Sequence, residues 1–171
     1  MISGSTSRNL SIMIATVIGV SILSGGWFLM QIQRERMDFS IPDINGNTMT
    51  LSDYSGEVVL IDFMATWCGP CRASMPSLVS LHEEIGDHFI IISISVDPAY
   101  DTIQVLEDWS ETFGATWIHA RDLSDPPVTQ QFKISSIPTF VIIDREGEIR
   151  YKHGPVPPLK LKTEILFLIN E

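Results

Sequence analysis

The chain has few cysteines, no surplus of basic residues and one long stretch without any charge. Only two of its 171 residues are cysteine, which excludes a small domain held together by several disulfides. Lys and Arg number 11 against 21 Asp and Glu, so the net charge is −10. A nucleic-acid partner is therefore not expected, because binding to phosphates needs a basic surface. With 44% hydrophobic and 19% charged residues, the composition is typical of a globular protein.

The charge-free stretch lies between Arg8 and Arg34. Within it, residues 10–30 form an apolar run of about the 20 residues that a helix needs to cross a bilayer. Trp27 lies near its end, where an interfacial aromatic residue anchors a membrane helix. The alternative is a signal peptide cleaved at Ser24-Gly25-Gly26. We favour an uncleaved transmembrane anchor, because the apolar run continues beyond that point.

The sequence thus predicts an N-terminal tail (1–9), a transmembrane anchor (10–30), a tether (31–37) and a soluble domain (38–171). All 21 acidic residues follow the anchor, so the soluble domain is acidic. We expect a single-pass membrane protein with this domain on the extracytoplasmic side. The flanking basic residues lean slightly towards a cytoplasmic domain and by themselves leave the orientation open.

Strand and helix patterns alternate along the soluble domain, which predicts an α/β domain with a mixed sheet. Asn45-Gly46 is typical of the turn of a tight hairpin. Continuous apolar runs predict buried strands, and apolar residues at helical spacing predict helices. The predicted elements are strands at 57–64 and 89–96, helices at 71–85 and 103–113, a strand pair at 140–144 and 148–152, and a last helix around 161–169.

Both cysteines lie in Trp67-Cys68-Gly69-Pro70-Cys71, between the first buried strand and the next helix. At a helix start, unpaired backbone N–H groups and the helix dipole stabilise a thiolate. We therefore predict that Cys68 is an exposed nucleophile and that Cys71, which is more buried, resolves the mixed disulfide. Pro70 suits the first helical turn, where its missing N–H is not needed.

A zinc site is the alternative for this cysteine spacing, because His82 and His88 follow it. A continuous helix from Cys71 would place His82 roughly 16 Å further along its axis. A tetrahedral zinc ion needs its ligands within about 2.3 Å. We therefore expect no metal, and no other cofactor either, because the dithiol itself carries the two electrons.

The stretch from Val59 to Cys71 resembles the active-site strand and loop of the thioredoxin superfamily. Ile137-Pro138-Thr139 is similar to the cis-proline segment of that family. The leading stretch 39–54 and the long stretch 95–133 resemble the membrane-tethered TlpA/ResA-like branch. The resemblance implies a thioredoxin fold with an N-terminal hairpin and a central insertion, and it implies thiol–disulfide oxidoreductase activity.

The resemblance also implies roles for individual residues. Cys68 and Cys71 are expected to form the redox-active disulfide. Asp62 matches a buried acid that is expected to take the proton of Cys71, because burial raises the pKa of a carboxyl group. The residues expected to bind substrate surround the cysteines: Trp67, Gly69, Pro70, Ile137 and Pro138, the last in the cis form.

One departure concerns this acid, because thioredoxin has a lysine near it and the strand at 89–96 offers only Ser93 and Ser95. Gly-Pro between the cysteines favours a reductant over an oxidant. The expected partners are disulfide-containing protein substrates and a membrane thiol relay that supplies electrons. Two alternative functions are a non-catalytic docking or chaperone module and a thiol peroxidase. The peroxidase is disfavoured, because Ala65 stands where the peroxidatic motif has threonine.

Overall fold

The computed structural model describes residues 37–171. The predicted tail, anchor and most of the tether (1–36) lie outside the described residues. Within the described part, no helix is both long and apolar enough to cross a bilayer. The elements are β1 (Ser40–Pro42), β2 (Thr48–Thr50), β3 (Val59–Met64), α1 (Gly69–Ile85), β4 (Ile90–Ser95), α2 (Ile103–Phe113), β5 (Ile118–Arg121), α3 (Val128–Gln131), β6 (Thr139–Ile143), β7 (Ile149–His153) and α4 (Pro158–Ile169).

Five strands form the central sheet in the order β5-β4-β3-β6-β7. Strand β3 pairs parallel with β4 and antiparallel with β6, and β4 pairs parallel with β5. The sheet is therefore mixed, as predicted, and β3 lies at its centre. All six residues of β3 are buried, because elements pack on both of its faces.

The two faces of the sheet have separate hydrophobic cores. Alternate residues of β3 point to opposite faces. Leu60 and Met64 join the core formed with α1, α2 and α4, and Cys68 and Cys71 belong to the same core. The other face of β3 packs against the N-terminal hairpin and α3, where Phe132 lies against Phe39 and Phe63. The cysteines and Asp62 thus share one face of the sheet.

The N-terminal hairpin is present, but its turn differs from the predicted one. Strands β1 and β2 pair antiparallel, with Ile41 opposite Met49. Gly46 has a positive φ of 84°, whereas Asn45 is not among the positive-φ residues. The carboxylate of Asp43 accepts hydrogen bonds from the backbone N–H groups of Asn45 and Asn47, at 2.9 and 2.8 Å. A longer loop organised by this aspartate replaces the tight two-residue turn.

Two elements of the central insertion were not predicted from the sequence. Strand β5 lies at the sheet edge and carries two polar side chains in its four residues, so it lacks a continuous apolar run. Helix α3 has only four residues, too few for helical periodicity. It begins where Asp122 accepts hydrogen bonds from the backbone N–H groups of Val128 and Thr129.

The helix boundaries were predicted more closely. Helix α1 begins at Gly69 rather than Cys71 and ends at Ile85. Gly86 adopts a right-handed conformation with φ −59°, and the chain continues through a short 3-10 turn. Gly114, in contrast, ends α2 with a φ of 68°, which glycine adopts without steric cost.

Candidate active site

The two cysteines are joined in a disulfide at the N-terminus of α1. Cys68 is the N-cap residue, and its Sγ accepts a hydrogen bond from the backbone N–H of Cys71 at 3.2 Å. Pro70 occupies the first turn, as predicted. In the reduced protein, the same N–H group and the helix dipole are placed to stabilise a thiolate at Cys68.

The exposure of Cys68 differs from the prediction. Cys68 is only 5% exposed and Cys71 only 2%, so both residues are buried in the disulfide form. The exposed residues next to them in the chain are Trp67, Gly69, Pro70 and Arg72. A partner disulfide therefore has to approach past these neighbours.

Trp67 extends into solvent and is held in place by Asp97. Its side chain is 55% exposed, and its Nε1 donates a hydrogen bond to Asp97 Oδ2 at 3.1 Å. The other oxygen of Asp97 accepts from the backbone N–H of Tyr100 at 3.2 Å. The orientation of the tryptophan beside the disulfide is thus set by the loop that follows β4.

The Ile137–Pro138 peptide bond is cis, as the resemblance implied. Pro138 is buried and directly precedes β6, while Ile137 is half-buried. Thr139, the first residue of β6, pairs with Phe63 on β3. This pairing brings the proline segment to the same end of β3 from which the chain leads to the cysteines.

Asp62 is buried at 3% exposure on the central strand, as predicted. Ser93 lies opposite it on β4, and the Ser93 hydroxyl donates a hydrogen bond to Asp62 Oδ2 at 3.2 Å. Burial raises the pKa of Asp62 to about 7, and the hydrogen bond from Ser93 opposes part of that rise. A carboxyl group of this pKa exchanges protons near neutral pH, which is what a general base for Cys71 requires.

A second buried carboxylate, Asp101, holds the loop before the cysteines and was missed by sequence analysis. It is fully buried and accepts hydrogen bonds from the backbone N–H and the hydroxyl of Thr66, at 3.1 and 2.5 Å. Ser95 donates a third hydrogen bond to it at 2.5 Å. The signal available in the sequence was the presence of Ser93 and Ser95 inside an apolar strand, since each hydroxyl serves a buried acid.

The histidines considered as zinc ligands do not gather around the cysteines. The ring of His82 makes an edge contact with Trp117, and His88 is exposed in the turn after α1. Among residues 37–171, no three His, Cys, Asp or Glu side chains are grouped as a metal site.

Comparison with known proteins agrees with this geometry. The model of the AhpC/TSA family matches residues 32–152. The chain is 28% identical over 124 residues to the thioredoxin-like protein YneN of Bacillus subtilis. The match covers 72% of this chain and 72% of YneN. It is 30% identical over 116 residues to the thiol-disulfide oxidoreductase ResA of Geobacillus kaustophilus, covering 66% of this chain and 63% of ResA.

A solved structure is similar over most of the described residues. It is the thioredoxin domain of a thiol-disulfide oxidoreductase from Bacteroides vulgatus. The TM-score is 0.66 at 25% identity, and the match covers 78% of this chain and 94% of that domain. The predicted resemblance is confirmed: the chain belongs to the AhpC/TSA family and has a thioredoxin-like fold.

Proposed function

We propose that the chain is a membrane-anchored thiol–disulfide oxidoreductase that reduces disulfides in protein substrates. The observation that carries the proposal is the Cys68–Cys71 disulfide at the start of α1, on the same sheet face as the buried Asp62. The relatives named as thiol-disulfide oxidoreductases support the same chemistry.

The proposed reaction is an exchange of two electrons between dithiols and disulfides. The Cys68 thiolate attacks one sulfur of a substrate disulfide, forms a mixed disulfide and releases the first substrate thiolate. Asp62 then takes the proton of the Cys71 thiol, and the Cys71 thiolate attacks Cys68 Sγ. This step forms the Cys68–Cys71 disulfide, breaks the mixed disulfide and releases the second substrate sulfur as a thiolate. A membrane thiol relay restores the dithiol by the reverse exchange.

The direction of exchange is tested by the reduction potential of the Cys68–Cys71 couple in the full-length protein. We expect a value close to the roughly −270 mV of thioredoxin, because Gly-Pro between the cysteines lacks the histidine that stabilises a thiolate in strong oxidants. The measurement is equilibration with glutathione or dithiothreitol buffers, followed by thiol alkylation and mass spectrometry.

Two outcomes would contradict this proposal. A potential nearer the roughly −120 mV of a strong oxidant would make the protein a disulfide donor. Failure to form a two-electron couple would remove the enzymatic function and leave the docking module as the better proposal. Reduction of insulin disulfides by the dithiol form serves as the matching activity assay.

Membrane attachment is part of the proposal and rests on the apolar run at 10–30. We propose that this run is an uncleaved anchor that holds the domain on the extracytoplasmic side, where its substrates would be oxidised or wrongly bridged exported proteins. The run is free of Asp, Glu, Lys and Arg, and it has the length of a bilayer crossing.

Membrane fractionation tests the anchor. We expect the full-length chain to stay in the membrane fraction after carbonate extraction and to keep its mass of 19.1 kDa. The double variant Val17→Asp/Val20→Asp is expected to shift to the soluble fraction, because each acid at mid-membrane costs about 3 kcal/mol. Loss of the first 26 or so residues from the mature protein would indicate a cleaved signal peptide instead. Protease treatment of intact cells reports on which side the domain lies.

A further inference from the structure

A chain of hydrogen bonds leads from the half-buried Trp117 to the buried Asp62. Trp117 Nε1 donates to Ser93 Oγ at 2.9 Å, and Ser93 Oγ donates to Asp62 Oδ2 at 3.2 Å. Ser93 is 1% exposed and Asp62 is 3% exposed, so water competes little for either group. The three side chains come from β3, β4 and the segment before β5, and all lie on the face of the sheet that carries the cysteines.

The chemistry of the three groups sets the direction of this chain. An indole N–H can only donate a hydrogen bond, and an ionised carboxylate can only accept one. The Ser93 hydroxyl has one proton and two lone pairs. Once Trp117 donates to one of those lone pairs, the single proton of Ser93 is directed to the Asp62 carboxylate. Hydrogen bonds in such a chain also polarise each other, so the indole strengthens the bond that Ser93 makes.

Trp117 is itself held from two sides. Its ring stacks on His119 with an interplanar angle of 22°, and the ring of His82 meets it edge-on at 5.4 Å between centroids. His119 lies opposite Ser93 on β5 and hydrogen-bonds the Ala115 carbonyl at 3.1 Å. Because that carbonyl can only accept, Nε2 of His119 carries the proton. Burial lowers the pKa of His119 to about 4, so its ring is neutral at physiological pH.

Within the described residues, the helices packed on this face contribute no buried carboxylate or cationic side chain. The other buried carboxylate here is Asp101, which follows β4 and accepts hydrogen bonds from Ser95 and Thr66. The buried residues of the three packed helices are apolar or the resolving cysteine: Cys71, Met75, Leu78 and Leu81 from α1, Leu106 and Trp109 from α2, and Leu161, Ile165 and Leu168 from α4. The titratable neighbours of these hydrogen-bonded side chains are therefore His119 beside Ser93, His82 beside Trp117, and Asp101, which is bonded to Ser95 two residues further along β4. Within the described residues, the hydrogen bond from Ser93 is the influence that opposes the burial of Asp62.

We propose that Trp117 is a positioning residue that aims the Ser93 hydroxyl at Asp62 and so supports the ionised form of the proton acceptor. This proposal rests on the proposed function, because it explains how the protein adjusts the pKa of Asp62, the acid that takes the proton of Cys71. In place of the lysine found near this acid in thioredoxin, the chain has two neutral dipoles in series. Such a relay favours the carboxylate without adding a full charge to the core.

The test is a titration of the Asp62 carboxyl carbon by NMR. The full-length oxidised protein is labelled with ¹³C at the aspartate side-chain carboxyls, and Asp62→Asn identifies the signal. We expect Ser93→Ala to raise the midpoint by about one pH unit, because a hydrogen bond to a charged group is lost. Trp117→Phe is expected to raise it by about 0.3 pH unit, the effect of removing one polarising bond.

A double variant and a matched control show whether Trp117 acts through Ser93. Trp117→Phe should have no further effect in the Ser93→Ala protein, whereas Ser93→Thr should restore the hydrogen bond and the original midpoint. Trp109→Phe is the control, because the buried Nε1 of Trp109 makes no hydrogen bond within residues 37–171. It should leave the Asp62 midpoint unchanged.

Three results would overturn the relay. They are an unchanged midpoint in Trp117→Phe, an equal shift in Trp109→Phe, and a shift from Trp117→Phe that persists in the Ser93→Ala background. The titration uses the disulfide form and needs no turnover. If the protein proved unable to reduce disulfides, the proposed function would fail while the relay could still be observed. If it reduced disulfides but Trp117→Phe left the Asp62 midpoint unchanged, the relay alone would fail.

Discussion

Replacement of Cys68 by serine is expected to lower the rate of disulfide reduction to that of the buffer alone, whereas Cys71→Ser should trap substrates. Both variants lose the same disulfide, so any effect of that loss on stability is matched between them. Cys68 is the N-cap residue that accepts the Cys71 N–H, and it is flanked by the exposed Trp67 and Gly69. It is therefore the sulfur placed to attack a substrate, while Cys71 is expected to release it.

The measurement is electrophoresis without reductant after mixing each variant with an oxidised protein such as insulin. Cys71→Ser should show a mixed-disulfide band that disappears with dithiothreitol, and Cys68→Ser should show none. The opposite pattern would exchange the two roles. If Cys68→Ser retained full biological activity in cells, a docking module would replace the enzyme as the better explanation.

Asp62→Asn is expected to slow the resolution of the mixed disulfide by about 100-fold at pH 7, the usual contribution of a well-placed general base. Burial raises the pKa of Asp62 to about 7. The rate at which the wild type resolves the mixed disulfide should therefore increase as the pH rises through 7 and the carboxyl group loses its proton. In the variant this rise should vanish, leaving only the titration of the thiols. Stopped-flow measurement of substrate thiol release between pH 5 and pH 9 distinguishes the two profiles. An unchanged rate and profile would exclude Asp62 as the proton acceptor.

The same substitution is expected to change the dependence of stability on pH. Between the ordinary aspartate pKa of 3.8 and about 7, the folded protein holds a proton on Asp62 that the unfolded chain has released. Stability must therefore fall as pH rises through this window and level off above it. The pKa difference corresponds to a loss of about 4 kcal/mol in the free energy of unfolding.

We expect Asp62→Asn to remove this loss, so the variant should be more stable than the wild type at pH 8 and similar to it near pH 4. Urea unfolding at both pH values measures the difference. Asp87→Asn, which alters an exposed acid in the turn after α1, serves as the control and should leave the pH dependence unchanged. A wild-type stability that does not fall between pH 4 and pH 7 would contradict the assignment.

The position of the cysteine pair at a helix start could be predicted closely because its signals are local. Cys68 and Cys71 are three residues apart and follow an apolar strand, so their placement at a strand-to-helix turn depends only on neighbouring residues. The cis-proline segment was found through its resemblance to a known family, since nothing in Ile137-Pro138 alone requires the cis form. Strand β5 and helix α3 were missed, because a short edge strand and a four-residue helix carry no periodic signal.

Residue types and local spacing were enough to indicate the chemistry: one pair of cysteines, a helix start that stabilises a thiolate, and an acid within an apolar strand. The tertiary structure decided what surrounds them. Ser93 and Asp62 are 31 residues apart in the chain, and Trp117 is 24 residues beyond Ser93, so their hydrogen bonds exist only through the register of the strands. Asp101 likewise reaches Thr66 across 35 residues. Such pairings depend on long-range strand register and packing, which local patterns do not encode.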